Sequence, residues 1–109
     1  MKDPAIYLRH IRDAIARIEK YTAQGRTAFF DDTMVQDAVI RNLEVIGEAV
    51  RNLPPDLRRR YPEIPWRSIT ALRNVLIHEY FGVDLEIVWR VVQRRIPALK
   101  RHVGAMLAD

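Results

Sequence analysis

Apolar positions recur along this chain at helical rather than strand spacing and divide it into four long amphipathic segments. In the first, Leu8, Ile11, Ile15 and Ile18 form a stripe, Asp3 can cap, Pro4 takes the first helical position and Gly25 marks the end, which predicts a helix over 4–23. Residues 26–32 read as a connector, with Asp31 and Asp32 suited to cap the next helix. The second helix is predicted over 33–53, with Val35, Ala38, Val39, Leu43, Ile46 and Val50 facing inward; Pro54 and Pro55 stop it, because proline cannot continue the hydrogen-bond ladder. The proline-rich stretch 54–65 allows one short helical turn over 56–61. A third helix starts at Pro65 or Trp66 and carries Ile69, Leu72, Leu76 and Ile77 to about Phe81, with Gly82 at its end. A fourth starts after the N-cap Asp84 with Leu85, Val88, Trp89, Val92 and Ile96; Pro97 kinks or restarts it, and Leu99, Val103 and Met106 continue the pattern. No strand signal, repeat or low-complexity tract interrupts this. The prediction is an all-α, up-down four-helix bundle with a kinked or additional short C-terminal helix, forming one domain over 1–109.

Composition narrows the chemistry. The absence of cysteine excludes disulfides, thiolate metal sites and cysteine nucleophiles. The start, Met1-Lys2-Asp3-Pro4, has no apolar signal segment, and no run approaches the ~20 apolar residues of a membrane span, so a cytoplasmic protein without membrane association is expected. A chain this short buries only about two-thirds of its unfolded surface, which makes dimerisation a natural supplement. The net charge of +4 is mild, but it is unevenly spread. Arg58, Arg59 and Arg60 form one run with Arg67 and Arg73 close by, and Arg90, Arg94, Arg95, Lys100 and Arg101 come later without an acid between Glu86 and Asp109. Such patches suit RNA, with solvated helix faces as the alternative.

The segment Arg73-Asn74-Val75-Leu76-Ile77-His78-Glu79-Tyr80 sets strongly polar side chains among apolar neighbours. Histidine exchanges protons near neutral pH, arginine holds phosphate through paired hydrogen bonds, and tyrosine offers a hydroxyl. These groups suffice for metal-independent RNA cleavage: histidine deprotonates a 2′-hydroxyl or protonates the leaving oxygen, and arginine stabilises charge on phosphorus. At about 100° per residue, Asn74 and His78 share a face, as do Arg73 and Tyr80, whereas Arg73 and His78 point roughly 140° apart. Convergence therefore requires that the arginine curl round, that the helix distort, or that a second chain supply the partner residue. The last case predicts a symmetric dimer whose third helices meet in a shared cleft. A structural role competes with catalysis: Arg73 has Glu48 and Glu44 on the second helix as candidate partners, and Asn74 can bridge helices.

The string from Arg73 to Gly82 closely resembles the arginine, four residues, histidine, any residue, tyrosine motif of the HepT-like toxins, of the HEPN superfamily. The resemblance extends over nearly the whole chain, through Asp3, Tyr7-Leu8, the run from Gln36 to Ala49, the run from Tyr61 to Trp66, Val88-Trp89 and Pro97. It implies a homodimeric, metal-independent endoribonuclease, the toxin of a type VII-like toxin–antitoxin pair whose antitoxin is a minimal nucleotidyltransferase. It further implies that Arg73 and His78 are the catalytic pair, that Asn74 supports them, and that Tyr80 is the residue the antitoxin modifies with AMP. A bulky anion on Tyr80 would compete with RNA for the Arg73 guanidinium. A non-catalytic helical module that binds nucleotide or substrate in complex with a nucleotidyltransferase is the competing reading.

Glu48 reads either as a carboxylate orienting Arg73 or as half of an ordinary interhelical ion pair, and Gly47 as a site of close helix packing. Trp66 and Trp89 sit at core or interface positions in preference to base-stacking ones. Arg58, Arg59, Arg60 and Arg67 are candidate RNA or antitoxin contacts. His10, His78 and His102 lack ligand spacing and no glycine-rich phosphate loop is present, so neither a metal nor a cofactor is expected.

Overall fold

The computed structural model describes residues 3–79 and 82–108, which fold as seven helices. The first, α1 (Pro4–Tyr21), is capped by the Asp3 carboxylate, which accepts from the Ala5 N–H, and ends two residues short of the expected boundary. Gly25 then turns the chain with φ +93°, a left-handed value that side-chain-bearing residues avoid. The stretch expected as a plain connector forms a short helix, α2 (Arg26–Asp31). The long α3 (Thr33–Arg51) is capped by Asp32 alone of the two candidate aspartates, its carboxylate accepting from Met34 and Val35 N–H.

Past the two prolines comes α4 (Pro55–Arg59), and then α5 (Trp66–His78). Trp66 is buried and its indole N–H donates to the carbonyls of Arg58 and Tyr61, which pins the proline-rich loop to the start of α5. The fourth predicted helix breaks at Arg95 into α6 (Leu85–Arg94) and α7 (Ile96–Ala108), with Pro97 in the first turn of α7, where its missing N–H costs nothing. The helix α5 ends at His78, short of the expected extension to about Phe81, because Glu79 leaves helical geometry (φ −122°, ψ 40°); Tyr80 and Phe81 lie outside the described residues.

At the centre of the bundle, α3 packs against α1 on one side and α5 on the other, and α7 covers α1. Ile11, Ile15, Ile18, Val39, Ile46, Val50 and Val103 are almost fully buried between them. The edge of the bundle is closed by Phe29 of α2 against Trp89 of α6, with ring centroids 5.2 Å apart. An apolar groove of about 680 Å³ remains between α5 and α7, with Leu72 and Leu99 in its walls and Arg94 and Arg95 along it. No helix among the described residues is long and apolar enough to cross a membrane.

Candidate active site

Helix α5 presents two chemically different faces. Trp66, Ile69, Arg73 and Leu76 are buried or half-buried, whereas Arg67, Ala71, Asn74, Val75 and His78 are exposed. Arg73 begins on the packed side because Gly47 leaves room for it: a Cβ built on Gly47 would stand 2.3 Å from the Arg73 Cβ. The α3–α5 crossing is therefore close, and the arginine stem fills the contact.

From that anchored stem the guanidinium is held at both ends. One terminal nitrogen meets the Glu48 carboxylate at 2.9 Å, and the other donates to the Asn74 side-chain oxygen at 3.0 Å. The Nε is buried without a hydrogen-bond partner. Only 19% of the Arg73 side chain is exposed, against 53% of Glu48, so the cation is the more sheltered member of the pair. A planar fork constrained in this way is preorganised for a tetrahedral anion.

His78 does not join this hydrogen-bonded set. It is the last residue of α5, exposed, and α5 stays helical through it, so no distortion swings it round to Arg73. Instead, the guanidinium bends toward Asn74, which lies one helical turn below His78 on the outer face. Of the other candidates, Arg59 pairs with Asp56, Arg58 is half-buried at the proline-rich loop, and Arg60 is exposed there. Arg67 stands on the outer face of α5 in line with Asn74 and His78.

The sheltered guanidinium opens into a groove of about 310 Å³ that crosses the surface of α3. Arg73 and Ile77 form one wall, Arg41 and Glu48 lie on the floor, and Tyr7 and His10 of α1 form the far wall. The floor charges partly compensate each other: Arg41 lies 3.9 Å from Glu44, and Arg51 lies 3.7 Å from Glu48. Sequence reasoning does not join Tyr7, His10 or Arg41 to the site. The available signal is that Tyr7 and His10, three residues apart, flank the buried stripe of α1. Among the described residues no group of three or more acidic or histidine side chains converges to hold a metal ion.

A search among known families matches residues 11–106 to the family described as Ribonuclease HepT-like. The chain belongs to the HepT-like ribonuclease family. It is 48% identical over 95 residues to a protein of Thermococcus cleftensis named "Probable ribonuclease HepT", with 86% of each chain covered. It is also 48% identical over 109 residues to a Methanocaldococcus jannaschii protein whose name combines gamma-glutamylcyclotransferase with an RNase assignment; 99% of this chain aligns there but only 49% of that protein, about half its length. The "mRNA nuclease HepT" of Shewanella oneidensis is 25% identical over 123 residues, covering 91% of this chain and 92% of its own. No solved structure matches the chain.

Proposed function

We propose that this protein is the toxin of a toxin–antitoxin pair and cleaves RNA without a metal ion, using Arg73 and His78. The observation that carries the reading is the restrained Arg73 guanidinium, held by Glu48 and Asn74 at the edge of an open groove. Arg73 binds the scissile phosphate and stabilises the charge that develops on it. His78 takes the proton of the 2′-hydroxyl, whose oxygen attacks phosphorus. The bond to the 5′-oxygen breaks, and that oxygen leaves with a proton from a second histidine. The products are a 2′,3′-cyclic phosphate and a 5′-hydroxyl.

Two copies supply the second histidine. The outer face of α5 carries Arg67, Ala71, Asn74, Val75 and His78, with Val75 47% exposed and Ala71 small enough for close approach. Juxtaposing this face with its two-fold mate makes one cleft with two arginines and two histidines. The cognate partner is a minimal nucleotidyltransferase that silences the cleft by placing AMP on Tyr80, a residue outside those the structure describes.

The test is cleavage of single-stranded RNA in EDTA. Wild-type protein is expected to cut and leave cyclic phosphate ends, while Arg73→Ala and His78→Ala each lose at least ~100-fold in rate with unchanged circular dichroism. Cutting by His78→Ala at the wild-type rate would sink the assignment. Intact mass after co-expression with the neighbouring nucleotidyltransferase is expected to rise in whole AMP units, and Tyr80→Phe to abolish the gain.

A further inference from the structure

The groove beyond Arg73 is larger than one phosphate needs, and its far wall is aromatic. Tyr7 and His10 meet edge to face, ring centroids 6.2 Å apart at 89°. The Tyr7 ring is half-buried and packed against the core, so its orientation is set, whereas His10 is exposed. Between these rings and Arg73 the floor offers Val45 and Ala49 as apolar surface, Glu44 as a sheltered carboxylate with 18% of its side chain exposed, and Arg41 as an outer cation. A volume of about 310 Å³ lies at the small end of ligand-binding clefts, which run from roughly 300 Å³ upward.

We propose that this groove is a nucleotide subsite in which Tyr7 and His10 hold the base of the residue next to the phosphate on Arg73. Phosphate at one wall and aromatic surface at the other match the two ends of a single nucleotide. The order of chemistry across the groove (cation, apolar floor with one acceptor, aromatic pair) is that of single-strand recognition, in which base faces stack and the backbone meets arginine. The Glu44 carboxylate can accept from an exocyclic amino group, and Arg41 can meet the phosphate on the far side of the base. The identity of the nucleotide as the one flanking the cut rests on the ribonuclease reading; the presence of the subsite rests on the groove alone.

The probe is a single-stranded 2′-deoxy oligonucleotide, which lacks the attacking hydroxyl and is bound without being cut. Added to the full chain, it is expected to shift the ring resonances of Tyr7 and His10 in a saturable way. His10→Ala, an exposed substitution, and Tyr7→Leu are each expected to weaken its binding about tenfold, and Tyr7→Phe to restore it. In RNA cleavage the same two variants raise KM about tenfold against a smaller change in kcat. Unmoved Tyr7 and His10 resonances at saturation overturn the subsite, as does wild-type affinity in His10→Ala, whatever the cleavage assay gives. If the wild-type chain binds the probe through these rings and cuts no RNA, the ribonuclease reading falls and the subsite stands.

Discussion

At residue scale, the position of Arg73 depends on a neighbour that has no side chain. A methyl group on Gly47 would collide with the Arg73 Cβ, and neither helix backbone can yield without opening the α3–α5 contact. Gly47→Ala is therefore expected to lower stability by about 1–3 kcal/mol in urea unfolding, and to cut RNA cleavage more than that loss explains. Glu48 acts differently. Its carboxylate is half exposed, so the ion pair adds little to stability once solvent screening is allowed for, under about 1 kcal/mol. In the proposed mechanism its value lies in fixing the guanidinium. Glu48→Gln should leave the melting temperature within a few degrees of wild type while cleavage falls about tenfold, since small misplacements at a reacting centre are costly. A wild-type cleavage rate in Glu48→Gln would reduce the carboxylate to an incidental surface partner. Glu48 is one of two partners that the sequence offers Arg73, but spacing cannot choose between Glu44 and Glu48, because the choice depends on how α5 crosses α3.

The elements show where periodicity reads well and where it fails. Long helices with apolar stripes and proline or aspartate boundaries fall within a few residues of expectation. The six-residue α2 escapes because one and a half turns cannot display a stripe, and a helix so short is not stable alone. It exists because other elements hold it. The Gln36 amide of α3 donates to the carbonyls of Phe29 (2.9 Å) and Phe30 (3.2 Å) at its C-terminal end, Phe29 packs on Trp89, and Arg26 both stacks over Phe30 and pairs with Glu86. Replacing Gln36 with leucine leaves those carbonyls without their buried donor and should cost about 1–3 kcal/mol, measured by chemical denaturation.

For the whole molecule, the question is what the outer face of α5 meets. The Arg73 stem packs inward and its guanidinium reaches the rim at Asn74, while His78 faces outward at the end of a helix that stays regular, so one copy does not bring the two groups together. In the proposed dimer, a two-fold axis along the exposed stripe would bring the partner's α5 against it. Light scattering is expected to give twice the 12.8 kDa monomer mass. Val75→Asp should shift the protein to monomer and lower cleavage in proportion to the dimer lost, with little change in helix content. A fully monomeric wild type at micromolar concentration would remove the shared cleft.

The sequence by itself determined the helical class, most helix boundaries and the core stripes, and it set Arg73, Asn74 and His78 on one helix, because these arise from local spacing, capping and backbone chemistry. Family resemblance added their proposed roles. Only the tertiary structure decided that Glu48 and Asn74 clasp Arg73, that Gly47 permits it, and that Tyr7 and His10 stand across a groove from it. Those facts depend on the rotation and depth at which α1 and α5 pack against α3. Residues more than sixty positions apart become neighbours through that packing, and hydrophobic periodicity specifies which face is buried without specifying which residues meet at its rim.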